Sequence, residues 1–169
     1  MQPAQAEGGG SSSNNLKKWG PIGAIVLVVA AVILWNTRYL ERAAADLGFT
    51  RVVALFQPHR YSRVAALSLD FADAFSCADS VVLMEVYGAG EAPIPGVSGK
   101  SLLDDLLRRH PRSRSAYLPH RFDVVPYLAS RVRVGDLVMT MGAGDVTTIG
   151  PELLAELTRQ EVAGELTCR

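Results

Sequence analysis

From Arg51 onward, short apolar runs alternate with segments whose apolar positions recur every three to four residues. RVVALF (51–56), SVVLMEVY (80–87), the shorter SAYLP and GDLVMTMG (135–142) are rich in β-branched or large apolar residues. Runs of that length without polar alternation predict strands buried on both faces. Between them, a helix is expected through about Ala78, with Leu67, Phe71, Ala74 and Phe75 on one face. SLLDDLLRRH repeats Leu102, Leu103, Leu106 and Leu107 at helical spacing, carries a basic last turn and stops before Pro111. DVVPYLASRV and PELLAELTRQ complete the series, with Pro151 suited to a first helical turn. Strands separated by helices predict an α/β fold, a mostly parallel sheet with helices on both faces.

The first 50 residues follow different rules. Residues 1–18 open with MQPAQAEGGGSSSNN, which has too little apolar mass to repay the entropy of ordering and predicts a disordered tail. Residues 19–37, WGPIGAIVLVVAAVILWNT, are uncharged. As a helix they would extend roughly 28 Å, close to the hydrocarbon thickness of a bilayer. Trp19 and Trp35 bracket the run where indole rings favour the interface. A single membrane-spanning helix is the leading expectation, against a cleaved signal peptide or a buried core helix. Basic residues flank both ends, so the charge rule does not set orientation. Beyond it, RYLERAAADL predicts a short helix stopped by Gly48, and residues 38–169 are expected to form the α/β domain.

Lys plus Arg and Asp plus Glu each number 17, so no excess charge points to nucleic acid. Cys77 and Cys168 are the only cysteines, without metal-ligand or disulfide spacing, and Cys77 is expected to be a small buried hydrophobe.

In a parallel sheet, ligands gather beyond the carboxyl ends of the strands, which makes loops 57–63, 88–99 and 142–145 the candidates. The first, QPHRYSR, sets His59, Arg60 and Arg63 after a strand, where guanidinium forks can clamp a carboxylate or phosphate; a solvated basic turn would look the same. The second holds Glu91 among glycines and prolines. Gly99-Lys100-Ser101 opens a helix as a phosphate loop would, but Ile94 stands where that motif needs glycine. Gly142-Ala143-Gly144-Asp145 would let backbone approach a ligand, yet lacks the third glycine of a dinucleotide fingerprint.

Taken together and in order, FQPHRYSR, VYGAGEAPIPGVSGK and GDLVMTMGAGDVTTIGPELL resemble successive segments of the C-terminal domain of the UDP-N-acetylmuramate–L-alanine ligases, within the Mur ligase family. The resemblance implies a Rossmann-like domain that closes over a central ATPase domain. It implies an ATP-dependent reaction in which a muramyl carboxylate becomes an acyl phosphate attacked by the amine of L-alanine. His59, Arg60, Arg63 and Glu91 match residues of the family's substrate-facing loops and are expected to bind substrate. No catalytic residue, metal ligand or cofactor-binding residue is assigned.

A complete ligase of that kind would also carry a UDP-sugar domain, a Gly-Lys-Thr phosphate loop and an Asp-Asp-Tyr…His-His-Pro segment, none of which occurs in these 169 residues. ATP and Mg²⁺ are therefore implied for the complete family enzyme and not for this chain alone, which is expected to be inactive by itself. Expected partners are UDP-N-acetylmuramate and L-alanine, the membrane through residues 19–37, and separate ligase domains or cell-wall proteins. A cytoplasmic domain on a single-pass anchor suits such substrates. The alternative is a membrane-anchored, noncatalytic adaptor in cell-wall synthesis.

Overall fold

The computed structural model describes residues 46–163. The predicted tail, the apolar run 19–37 and Cys168 lie outside the described residues, among which no helix is long and apolar enough to cross a membrane.

Four strands form one sheet: β1 (Arg51–Phe56), β2 (Ser80–Met84), β3 (Ser115–Leu118) and β4 (Asp136–Met141). Their order is β3-β2-β1-β4, and every pairing is parallel. Helices α1 (Tyr61–Ala74), α2 (Gly99–Arg109), α3 (Arg121–Ala129) and α4 (Val146–Val162) make the crossovers and the final cover. The expected α/β fold is the observed one.

Strand pleating divides the core. Ala54, Val81 and Leu83 pack with Leu67 and Phe71 of α1 and Leu102 and Leu106 of α2. Their neighbours Val53, Leu55, Val82 and Met84 face the opposite way, onto Val124 and Leu128 of α3 and Val146, Ile149 and Leu153 of α4. Both faces are thus covered by helices, which is why the central strands show no polar alternation. Leu55, Leu83, Leu102 and Leu106 are at most 1 % exposed; each such side chain contributes roughly 1.5–3 kcal/mol of burial.

Several expected boundaries move. α1 ends at Ala74 rather than near Ala78, because Ser76 and Ala78 bond back into turns on Asp73 and Phe75. Cys77 sits on that turn and is exposed, contrary to the expectation of a buried thiol. β2 stops at Met84, and its pairing resumes only as an isolated bridge between His59 and Tyr87. α4 begins at Val146, so Pro151 lies inside the helix rather than in its first turn. That earlier start depends on a side chain nearly 90 residues away, Gln57, whose amide oxygen accepts the Val146 N–H at 3.2 Å.

Candidate functional site

The order β3-β2-β1-β4 means that the crossovers run one way from β1 to β3 and then return past β1 to reach β4. The reversal lies between β1 and β4, where open parallel sheets part their loops into a crevice. Gln57 stands at that point, 6 % exposed. Its amide nitrogen donates to Asp145 Oδ1 at 2.5 Å, and with the Val146 contact this makes Gln57 the cap that fastens α4. Gly144 is what lets it approach: a Cβ there would lie 2.5 Å from Gln57 Oε1 and 2.9 Å from Tyr87 Cγ. The close backbone approach anticipated for the 142–145 loop is therefore made to Gln57 and Tyr87 of the protein itself.

The 57–63 loop runs alongside the segment after β2. Tyr87 N–H donates to the Pro58 carbonyl and Arg60 N–H to the Tyr87 carbonyl, each at 2.8 Å, and the His59 and Tyr87 rings stack 5.7 Å apart. Between those anchors Arg60 takes φ 70°, ψ 126°, a conformation that side-chain-bearing residues rarely adopt. Backbone held this way costs about 1–3 kcal/mol and collects at functional sites. Its guanidinium is half exposed. Arg63, one helical turn on, is exposed and makes no hydrogen bond or ion pair among the described residues.

Glu91 ties the second loop to the first. Its carboxylate accepts from Ser62 N–H at 3.0 Å and Ser62 Oγ at 2.7 Å, with Arg60 Nη1 3.7 Å away. The Ser62 amide, then its hydroxyl, with the charge of Arg60 added, hold Glu91 below the usual carboxylate range. Arg60 at the N-cap offers α1 no side-chain cap, so Glu91 supplies an acceptor from 29 residues downstream.

A second glutamate, unassigned from sequence, does the same for α2. Glu85 Oε1 accepts from Val86 N–H at 2.7 Å and Gly99 N–H at 2.9 Å, while Oε2 accepts from the Tyr117 hydroxyl. Burial alone would raise the Glu85 pKa, but these three donors outweigh it and hold the group low; burial and Glu85 together push the Tyr117 phenol up. Ser98 and Ser101 close a capping box at the same helix end, and Lys100 pairs with Asp104. The Glu85 carboxylate thus already occupies the Gly99 amide, and the Ser98 hydroxyl the Ser101 amide, that a phosphate would need there. These residues do not fit a nucleotide phosphate, and among the described residues no three His, Cys, Asp or Glu side chains cluster to hold a metal ion.

The three predicted loops therefore do meet at one end of the sheet. His59, Arg60 and Glu91 are joined through Tyr87 and Ser62, and the 142–145 loop is joined through Gln57; among the described residues no hydrogen bond or ion pair ties Arg63 to the others. Gln57, Ser62, Glu85, Tyr87 and Tyr117 were not singled out from sequence. A polar residue directly after an apolar strand, as in Phe56-Gln57 and Met84-Glu85, was the only available signal.

No protein-family model matches the chain. Among curated proteins it is 47% identical over 126 residues to the UDP-N-acetylmuramate–L-alanine ligase of Saccharopolyspora erythraea, covering 75% of this chain and 25% of that protein. The ligase of the same name from Pelotomaculum thermopropionicum is 42% identical over 123 residues, 73% of this chain and 26% of its own. That from Anaeromyxobacter dehalogenans strain 2CP-1 is 50% identical over 109 residues, 64% and 23%. The chain thus spans about a quarter of the length of the curated relatives it matches. Among solved structures, a domain assigned to a UDP-N-acetylmuramate:L-alanyl-γ-D-glutamyl-meso-diaminopimelate ligase of Haemophilus ducreyi 35000HP superposes with a TM-score of 0.50. At 17% identity, covering 76% of this chain and 83% of that one, it supports the fold alone.

Proposed function

We propose, from the premise that this chain is related to the UDP-N-acetylmuramate–L-alanine ligases over some 110 to 126 residues, that its α/β unit acts as the substrate-closing domain of such a ligase. Arg60 and Arg63 then bind the anionic groups of a UDP-N-acetylmuramate substrate, and ATP-driven activation belongs to residues outside this unit. The supporting observation is Arg60: a strained backbone, in a loop held by two hydrogen bonds to the segment after β2, carries a half-exposed guanidinium at the carboxyl end of the sheet. A turn that served only as a connector would have no reason to keep that strain.

In this reading Arg60 and Arg63, one helical turn apart, clamp a phosphate or carboxylate; His59 supports the loop through its stack on Tyr87, and Glu91 keeps it fixed to the start of α1. ATP and Mg²⁺ supply the acyl-phosphate chemistry of a complete ligase, and the residues described above do not form a place for either. Residues 19–37 form a membrane-spanning helix in this proposal, with the α/β unit in the cytoplasm, where nucleotide-linked substrates occur.

Calorimetric titration of the full chain with UDP-N-acetylmuramate tests the clamp. Binding is expected, weakened about ten- to hundredfold by Arg60→Ala, the range for losing a charge-assisted hydrogen bond. The chain alone is expected to show no ATP turnover with UDP-N-acetylmuramate and L-alanine. Absence of binding, or equal binding by the variant, rejects the clamp.

A further inference from the structure

Opposite the candidate site, at the amino ends of the strands, the molecule presents a different surface. Because all four strands are parallel, the residues that lead into them share one edge. Arg112 and Arg114 precede β3, and Arg131 and Arg133 precede β4. All four are exposed. Arg112 and Arg114 make no side-chain hydrogen bond or ion pair among the described residues. The Arg131 guanidinium lies 3.8 Å over the Tyr127 ring.

Several carboxylates of this edge are already engaged, while Asp46 and Glu161 are exposed. Asp136 pairs with Arg51, Asp79 accepts the Val52 N–H, and Asp73 takes Arg109 and His110. A groove of about 1140 Å³ opens here, lined by Arg114, Arg131 and Arg133, by Arg51 in its pair with Asp136, and by one carboxylate, Glu161, over an apolar floor that includes Val53 and Val82. Apolar side chains stand bare beside it: Val134 is 96 % and Leu47 75 % exposed. Both flank the contact in which Thr50 N–H donates to the Gly135 carbonyl at 2.9 Å, so the chain reaches β1 through this same face.

We propose that this amino-end face docks on an anionic phospholipid surface, its arginines on lipid phosphates and Val134 and Leu47 among the headgroups. The proposal rests on the reading of residues 19–37 as the anchor. Only eight residues separate Thr37 from Asp46, at most about 30 Å of extended chain, and from Asp46 the chain enters β1 by way of Thr50 at this face. In this reading the short linker holds the amino-end face near the bilayer, with the Arg60 loop at the opposite end of the sheet. Exposed guanidiniums beside apolar side chains match the chemistry of an anionic lipid surface, where each basic residue adds about fivefold to the docked-to-free ratio.

The full chain, with Cys77→Ser, Cys168→Ser and Val134→Cys, is spin-labelled at position 134 and reconstituted in vesicles of phosphatidylcholine with or without phosphatidylglycerol. The label is expected to be shielded from a water-soluble relaxant only when phosphatidylglycerol is included, and to lose that shielding in high salt. Arg114→Gln with Arg133→Gln is expected to lower the docked-to-free ratio about 25-fold, with an unchanged thermal melt showing that the variant is folded. Equal exposure of the label in both lipids, or no effect of the double variant, overturns the proposal. Carbonate extraction of the same vesicles reads the anchor separately. A resistant chain with a water-exposed label sinks the docking face alone, whereas an extractable chain that still docks on phosphatidylglycerol sinks the anchor alone.

Discussion

A methyl group at Gly99 would fall inside van der Waals contact of the Met84 carbonyl oxygen and 2.9 Å from the Tyr117 ring, and a backbone oxygen in a central strand cannot swing away. Gly99→Ala is therefore expected to cost about 3 kcal/mol, the upper end of overpacking losses. Gly90→Ala meets open space at φ 87° and is expected to cost only about 1–2 kcal/mol of left-handed strain. Urea unfolding of the two variants decides this: equal losses would reject packing as the reason for glycine at 99. In sequence, Gly99-Lys100-Ser101 read as a helix opening with a phosphate-loop flavour. The first half was legible because it is local. The true demand on the glycine comes from a carbonyl 15 residues earlier, and no spacing rule reaches it. Gly144 is a similar case: its partners are Gln57 and Tyr87, brought to it by the sheet.

Helix ends show the same division between elements. α2 carries its own signal in Ser98 and Ser101, whereas α1 relies on Glu91 and α4 on Gln57, neither of which is near them in sequence. Glu85 joins three elements, taking donors from the start of α2 and the end of β3 at the end of β2. Glu85→Ala leaves the buried Gly99 amide and the Tyr117 hydroxyl without their acceptor, and is expected to cost about 1–3 kcal/mol. The same variant should bring the Tyr117 phenol pKa part of the way down toward its ordinary value, because burial, the larger cause of its elevation, remains. Ultraviolet titration of the phenolate reads that shift; an unchanged titration would mean that the Glu85 contact does not form in solution.

For the whole molecule, acid is the informative stress. Burial raises Asp136 and Glu85, but hydrogen bonds from Arg51 to the one and from Tyr117, Gly99 and Val86 to the other bring both below the usual range; Arg109 does the same for Asp73. A folded-state pKa below the unfolded one means that the unfolded chain binds protons first as pH drops. The stability these groups contribute is complete above the unfolded carboxylate value of about 4 and drains away as pH falls through the lower folded values. The urea midpoint should therefore hold between about pH 7 and 5 and fall below about pH 4. Asp136→Asn should lower the plateau and shallow the acid limb, and an acid limb parallel to that of the unaltered chain would count against the Arg51 pair as a source of stability.

The amino-acid sequence by itself determined the alternation of strands and helices, the coverage of both sheet faces, and the loops able to carry chemistry, because each follows from local periodicity or from turn-forming residues. Tertiary structure alone decided the order β3-β2-β1-β4 and the reversal between β1 and β4 that brings the 57–63 and 142–145 loops together. It also decided that Glu85, Glu91 and Gln57 cap helices far from them in the chain, and that arginines from two separate connections gather with Arg51 of β1 on the opposite edge. Those outcomes depend on which segments become neighbours when the parallel strands align, and that proximity is a property of the assembled sheet rather than of any window along the chain.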